Sequence, residues 1–335
     1  MSIITEHEYR YNNLIKEFGS KAEPAFESEE EQVNVWGRRW GCNNDVGQLR
    51  MVLMHRPGDE MNIVDPSKKL NDIGAWGDVK AGWYWRGPEL PDFDEMRSQH
   101  DEYVKVLREE GAEVVYLDKC AEGKMKSVYC RDSVIAVDGG AIVTRMGPPI
   151  RRGEELPVTR TLANLGMPIL RTISGTGLME GGSFAFLNPT NAVVGISSRV
   201  NEEGARQVEE ILAPQGVTLH RVQLTGYRLH IDGNFVMVDT HTAFLNPTLL
   251  PFTFLETLEE LGIKMVDVSP DDHPGVLNVL ATRPGRVIVG HGISERTQEK
   301  LEKAGISTRY VEYDKVAQGG GGLHCSTGPL IRDPL

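Results

Sequence analysis

Gly111-Ala-Glu-Val-Val-Tyr-Leu117 is a glycine that launches a short strand, and the same device returns four times. Its echoes are Gly166-Met-Pro-Ile-Leu-Arg171, Gly216-Val-Thr-Leu-His-Arg-Val222, Gly262-Ile-Lys-Met-Val-Asp-Val268 and Gly305-Ile-Ser-Thr-Arg-Tyr-Val311. The leading glycines stand 55, 50, 46 and 43 residues apart by subtraction of their numbers. Amphipathic patterning predicts helices over 94–110, 201–212, 254–261 and 294–304, just before most of these strands. Each glycine then falls where a helix C-cap needs positive φ. Upstream, 133–137 with 141–144 and 235–238 with 242–245 read as strand pairs. Asp138-Gly139-Gly140 and Asp239-Thr240-His241 are their turns.

Five strand–strand–helix–strand units in one chain predict an α/β fold closed into a ring, a five-bladed propeller of pseudo-fivefold symmetry. A doubly wound sheet would alternate longer parallel strands with helices one to one. No Gly-x-Gly-x-x-Gly follows a first strand, and the glycines at 319–322 lack the Lys-Ser/Thr of a phosphate loop. Residues 46–335 are expected to form one catalytic domain, preceded by an extension over 1–45. Segment 66–92, rich in tryptophan, glycine and proline, does not fit the repeat and reads as a loop over one face.

Composition narrows the class. The 335 residues are 40% hydrophobic and 25% charged, which is ordinary for a soluble globular protein. A net charge of −12 argues against nucleic acid or an anionic membrane as a partner, and weakly suits capture of a small cation. The N-terminus lacks the apolar core of a signal peptide, and no apolar run reaches the length of a membrane span. Cys42, Cys120, Cys130 and Cys325 have neither zinc-like nor disulfide-framework spacing, so free thiols in a reducing cytoplasm are expected. A homo-oligomer is compatible with all of this.

The chemistry gathers at 318–325, Gln-Gly-Gly-Gly-Gly-Leu-His-Cys. Glycine runs are usually linkers, and a free cysteine is usually an inert small hydrophobe. Here the glycines let backbone approach a ligand closely and present a thiol from an open turn. In a ring, equivalent strand ends converge on the axis, so Asp132, Glu180, His230 and Cys325 can meet across wide sequence separations. An imidazole can activate the thiol and later water, and a carboxylate can fix that imidazole. Asp132, Glu180 and Asp232 would crowd negative charge into one place, which a planar guanidinium or amidinium relieves through bidentate hydrogen bonds. A metal is the other occupant of such a set, but no His-x-x-x-His or Cys-x-x-Cys supports one. Singly, Asp132 can pair with Arg131, Glu180 can cap a turn and His230 can be a buried strand histidine.

From Val52-Leu-Met-His-Arg-Pro-Gly58 to the terminal cysteine, the chain resembles the guanidino-group-modifying enzymes. These include arginine deiminases, dimethylarginine dimethylaminohydrolases, agmatine deiminases and arginine:glycine amidinotransferases. The motifs that carry the likeness are Tyr129-Cys-Arg-Asp132, Glu180-Gly-Gly, His230-Ile-Asp232 and Gly-Gly-Gly-Gly-Leu-His-Cys325. The resemblance implies a pentein propeller and covalent chemistry without metal or cofactor. In it Cys325 attacks the guanidinium carbon, and His230 serves as acid, then as base for water. Asp132 and Asp232 clamp the guanidinium, and Glu180 orients His230 or the cation. Arg152 and Arg199 resemble positions that hold a substrate carboxylate, and the aromatic stretch around Trp85 would suit a flat ligand.

Departures from the pattern bear on the subtype. Asp232 favours an unblocked guanidinium. The short stretch between His55 and Asp132 leaves no room for the helical insertion of bacterial arginine deiminases, and Gly320 stands where those enzymes carry an arginine. The ending Leu-His-Cys-Ser-Thr is more like amidinotransferases and agmatine deiminases, and Ser183 replaces the usual aspartate after Glu-Gly-Gly. The reading is a cysteine-dependent hydrolase of a C–N bond at a guanidine- or amidine-type carbon, acting through a thiouronium-like intermediate on arginine or a similar compound. Its rivals are an amidinotransferase, a hydrolase of a flat amidine-like heterocycle such as a nitroimidazole, and a non-catalytic pentein binding module.

Overall fold

The structure is a computed structural model that describes residues 4–17, 25–71, 74–78, 80–81, 83–120, 123–226, 228–273, 275–290 and 292–335. Parts of segments 1–45 and 66–92 therefore lie outside the described residues. Two short helices, α1 (Glu6–Tyr9) and α2 (Glu29–Trp36), precede β1 (Leu49–Met54). Then come β2 (Lys69–Leu70), β3 (Ala75–Asp78), β4 (Trp83–Trp85), α3 (Phe93–Glu109) and β5 (Glu113–Tyr116). The next unit is β6 (Val134–Val137), β7 (Gly140–Val143), α4 (Glu155–Leu165) and β8 (Ile169–Thr172). It is followed by β9 (Phe184–Asn188), β10 (Asn191–Ile196), α5 (Glu202–Leu212) and β11 (Thr218–Gln223). The last two units run β12 (Phe235–Asp239), β13 (Thr242–Leu245), α6 (Phe252–Glu260), β14 (Lys264–Asp267), and β15 (Leu280–Arg283), β16 (Arg286–Val289), α7 (Glu295–Lys303), β17 (Ser307–Tyr310). After α8 (Asp314–Ala317), β18 (Gly328–Arg332) ends the chain's secondary structure.

Each unit builds the same three-stranded sheet. The first two strands pair antiparallel across a tight turn, and the helix then returns the chain to a third strand parallel to the second. One sheet is assembled from both ends of the chain: β18 pairs antiparallel with β1, and β1 pairs parallel with β5. The first strands are buried nearly throughout, while the third strands alternate or sit at the surface. That gradient fixes the order from inside to outside, because a strand covered on both faces must be apolar along its whole length. Inner strands touch across sheets: β18 with β6, β9 with β12, and β12 with β15, while β15 also touches β1, the middle strand of its sheet.

The glycine device works as expected. Gly111, Gly166, Gly216, Gly262 and Gly305 all have positive φ, between 70° and 97°, where a side chain would be strained. The helices lie within two residues of the expected spans, with Asn201 and Ser294 acting as N-caps for α5 and α7. α4 is a further helix that supplies the second unit.

Two segments outside the repeat carry more structure than their sequence announced. Segment 66–92 is not an irregular loop: β2, β3 and β4 form a small antiparallel sheet, with Trp76 paired to Trp85. Trp76, Trp83 and Trp85 are all buried, so the tryptophans hold this sheet to the body. At the end of segment 1–45, Trp40 and Cys42 are buried in the same core as β6 and β7.

Candidate active site

Short turns precede the inner strands and aim their polar residues at one another. The 3-10 turns Cys130–Ser133, Gly181–Ser183 and Ile231–Gly233 deliver Asp132, Glu180 with its neighbours, and His230 with Asp232. The fourth unit contributes Asn278 just before β15, and the last contributes Cys325 just before β18. Backbone ties the turns together, since the Arg131 amide donates to the Cys325 carbonyl at 3.0 Å. Glycine is required where the turns close on each other. A Cβ on Gly182 would lie 2.7 Å from Asp132 Oδ1 and 2.9 Å from His230 Nδ1. One on Gly321 would lie 2.5 Å from the Tyr129 ring. The glycine run is packed, not a linker.

Cys325 Sγ sits 3.5 Å from Asp232 Oδ2 and accepts a hydrogen bond from Asn278 Nδ2 at 3.0 Å. Asn278 Oδ1 in turn accepts from the Cys325 amide at 3.1 Å, which fixes Cys325 at two points. Burial and the nearby Asp232 and Asp132 carboxylates push this thiol well above its ordinary pKa, against the opposing hydrogen bonds of Asn278 and the Gly322 backbone. Alone, the thiol keeps its proton.

His230 is the counterpart. Nε2 lies 2.6 Å from Glu180 Oε2 and Nδ1 lies 3.5 Å from Asp132 Oδ1. Burial disfavours the charged ring, but Asp132, Glu180 and Asp232 outweigh it and raise its pKa to about 9. Burial likewise opposes ionisation of Glu180, yet His230, Arg151 and Arg199 bring it down to about 2. At neutral pH His230 is therefore an imidazolium between carboxylates. Asp232 is ionised, held below its usual range against burial chiefly by His324, whose Nδ1 lies 2.9 Å from its Oδ2. His324 stays neutral, lowered by burial and by Arg131.

The crowding of carboxylates is real, but the protein answers much of it internally. Arg151 Nη1 lies 2.5 Å from Asp132, while its other donors reach both oxygens of the buried Glu154. Arg199 lies 3.3 Å from Glu180. The expectation that these acids wait for an outside cation is thus corrected: two arginines and an imidazolium already face them. Ligand atoms of Asp132, Glu180 and His230 come within 4.8 Å of one another, the spacing a metal would need. The same atoms are hydrogen-bonded to Arg151, Arg199 and the Gly182 and Gly147 amides, which fits a polar relay better than an ion cage.

The structure brings together Cys325, His230, Glu180, Asp132 and Asp232. It does not bring Arg152, which is exposed and bonded to the Met146 and Gly147 carbonyls, and it turns Arg199 Nη1 toward Glu180. Trp85 is 1% exposed and donates to the Glu89 carbonyl; it packs beneath Gly319 instead of lining the cluster. Tyr84, 38% exposed, is the outward member of that aromatic trio, and Lys126 Nζ lies 4.3 Å over its ring. Lys126 also donates to the Gly319 carbonyl, and burial brings its pKa down to about 7.

Sequence reasoning missed Arg151, Asn278, His324 and Lys126. Asn278 was within reach, because it stands before β15 as Asp132 stands before β6. Arg151 is the neighbour of the arginine that was chosen, and only the turn after β7 decides which of the two points inward.

A cysteine, an imidazolium and carboxylates assembled from repeated α/β units define the class of guanidino-group-modifying enzymes. A family model described as N,N dimethylarginine dimethylhydrolase, eukaryotic, matches residues 92–332. The chain belongs to that family, and it is a hydrolase of non-peptide C–N bonds. It is 24% identical to the 2-nitroimidazole nitrohydrolase of Mycobacterium sp. (strain JS330), over 90% of this chain and 84% of that one. It is 26% identical to N(G),N(G)-dimethylarginine dimethylaminohydrolase of Pseudomonas aeruginosa, over 70% of this chain and 88% of that protein. Among solved structures, the amidinotransferase SxtG of Microseira wollei superposes with a TM-score of 0.70 at 14% identity, covering 88% and 98% of the two chains. That likeness concerns the fold. No helix among the described residues is long and apolar enough to cross a membrane.

Proposed function

We propose that residues 46–335 form one pseudo-fivefold propeller whose axis carries a cysteine-dependent hydrolase of guanidine- or amidine-type carbon, with arginine or an arginine-like compound as the first substrate class. The observation that carries this reading is that one turn holds both His230, 2.6 Å from Glu180, and Asp232, 3.5 Å from the Cys325 sulfur, so that residues from three separate turns meet there. Asp232 lies 3.5 Å from the sulfur and is bonded to the neutral His324, so it is the carboxylate to receive the substrate's N–H groups.

The thiol's high pKa then has a use. Burial and the carboxylates hold the proton on Cys325; a cation seated beside Asp232 offsets the carboxylate part, so the thiol passes its proton to solvent water when substrate arrives and not before. Sulfur adds to the central carbon, and the His230 imidazolium gives its proton to the departing ammonia or amine. The neutral imidazole, still held by Glu180, takes a proton from water, and that water releases a urea-type product and restores Cys325.

A second reading rests on Arg151. Because it neutralises Asp132, the site demands less positive charge from its ligand than bare carboxylates would. That suits a flat, neutral, amidine-like heterocycle, and a relative at 24% identity is a 2-nitroimidazole nitrohydrolase. One panel separates the two: arginine, methylarginines, agmatine, guanidino acids and 2-nitroimidazole, each with and without glycine as an acceptor amine. Urea-type product from an arginine-like compound without glycine supports the first reading. Turnover of the heterocycle alone supports the second, and product only with glycine would replace both with amidino transfer. Cys325→Ser should abolish turnover by at least ~10³-fold while trapping bound substrate for mass spectrometry. Undiminished turnover in Cys325→Ala would sink the assignment.

A further inference from the structure

β1 and β5 are parallel neighbours, with Met54 opposite Tyr116, so their carboxyl ends leave the sheet side by side. The residues that follow are His55 and, four beyond the strand on the other side, Cys120. Cys120 Sγ lies 3.6 Å from His55 Nδ1, and His55 Nε2 lies 2.9 Å from Glu60 Oε1. Glu60 is buried in the turn Asp59–Ile63, where the Gly58 amide also donates to it at 2.9 Å. The two ring nitrogens face opposite partners. These three groups therefore cannot converge on one metal ion; the order thiol, imidazole, carboxylate is that of a relay.

Three features separate this arrangement from the catalytic cluster. Among the described residues, the hydrogen bonds and ion pairs of His55, Glu60 and Cys120 run to one another and to the Gly58 amide, not to Cys325, His230, Asp232 or Glu180. Cys42 and Cys130 are deeply buried with no basic side chain hydrogen-bonded to sulfur, whereas Cys120 is only half-buried and solvent can reach it. The imidazole beside it is charged at neutral pH: burial opposes that, but Cys120 and Glu60 outweigh it and raise His55 to about 9. A half-open thiol paired to an imidazolium is the environment that makes cysteine nucleophilic.

We propose that Cys120 is a second reactive thiol, a modification site for small peroxides, held and activated by His55 and Glu60. In the step, Cys120 sulfur as thiolate attacks the near oxygen of the peroxide. The S–O bond forms, the O–O bond breaks, and the leaving oxygen takes its proton from the His55 imidazolium. Sulfur loses two electrons and becomes a sulfenic acid, while the peroxide is reduced to water or an alcohol. The neutral imidazole then faces an S–OH group, and its ion pair with Glu60 becomes a neutral hydrogen bond.

The test uses the full chain in a Cys325→Ser background, which removes the other candidate thiol. Protein is exposed to hydrogen peroxide with dimedone as the sulfenic-acid trap, and each cysteine is followed by peptide mass spectrometry. Adduct should appear at Cys120 at least about tenfold faster than at Cys42 or Cys130, and His55→Gln should slow it about tenfold. If that variant does not fold, as judged by circular dichroism, Glu60→Gln carries the same comparison with a smaller perturbation. Labelling of Cys120 no faster than Cys42, or labelling that is unchanged in the folded relay variant, overturns the proposal. Because the readout is chemical and Cys325 is absent, failure here leaves the reading of the catalytic site untouched.

Discussion

Asn278 holds Cys325 by both sulfur and amide, and among the described residues it is the side chain that donates a hydrogen bond to the thiol. Removing it leaves Asp232 and Asp132 less opposed, so Asn278→Ala is expected to lower kcat/KM about tenfold, close to 1.4 kcal/mol of transition-state free energy. Asn278→Asp should do worse, since it adds a third carboxylate beside the sulfur. A loss confined to KM would instead mean that Asn278 only shapes the pocket. His230 gives a pH signature with a definite sign. Its folded pKa is raised from 6.5 to about 9, so the stabilisation it brings is complete below 6.5 and is lost as pH rises through about 9. Thermal unfolding should show the wild-type Tm falling across that window, and kcat/KM should decline with the same limb as the general acid loses its proton. In His230→Asn the Tm dependence over this window should flatten; a slope equal to wild type would place the titration elsewhere. Cys325, His230, Glu180 and both aspartates were legible in sequence because their chemistry is recognisable without coordinates. Arg151 and His324 were not, because an arginine or histidine one position from a chosen residue carries no mark of which way its turn points.

At the scale of elements, two kinds of glycine behave differently, and substitution should tell them apart. Gly262 ends α6 at φ +70° with nothing within 4 Å of a built Cβ. Gly262→Ala should therefore cost only about 1 kcal/mol of stability, from the left-handed backbone alone, and leave activity intact. Gly321 has an ordinary φ but no room: a Cβ would meet Tyr129 ring carbons at 2.5 Å and Cys325 Cβ at 3.0 Å. Gly321→Ala must shift the nucleophile's loop, and kcat should fall by at least about a hundredfold, far more than the urea midpoint predicts. Equal activity losses in the two variants would refute the distinction. The first kind of glycine could be read in sequence, since a helix ending on a left-handed residue is a local rule. The second kind could not, because Tyr129 is remote in sequence and its ring is placed by a hydrogen bond from its hydroxyl to the Val316 carbonyl. The sheet β2–β4 escaped for a related reason. Its strands are only two to four residues long, too short for a period to show, and buried tryptophans hold them in place of a repeated pattern.

For the whole molecule, the decisive pairing joins the two ends of the chain. β1 has no antiparallel partner until β18 arrives from nearly 280 residues later, with Leu53 opposite Gly328 and Val52 opposite Pro329. The repeat foretold five units, but only four have all three strands in chain order, and the fifth is legible only once the ends are brought together. Arg332 marks the closure. It is 2% exposed, and its guanidinium donates to the Gly47 carbonyl at 2.7 Å and the Ala281 carbonyl at 2.8 Å, joining the approach to β1 to strand β15. Two buried carbonyls and a buried charge depend on that one side chain, so Arg332→Ala should destabilise by ~3 kcal/mol or more. Arg332→Lys should recover only part of this, because an ammonium lacks the planar fork that spans both acceptors. Ending the chain after Thr327 should be more severe, since it removes β18 whole, uncovers β1, and leaves Cys325 on a free tail while Asp132, Glu180, His230 and Asp232 are still encoded. Removing only Pro334 and Leu335 should change nothing measurable. If the proposed ring is the folding unit, the longer truncation will lose near-UV circular dichroism across all five units together, in one transition. A truncated chain that instead kept a cooperative melt and merely lost turnover would show that the sheets fold independently and that β18 serves only to place the nucleophile.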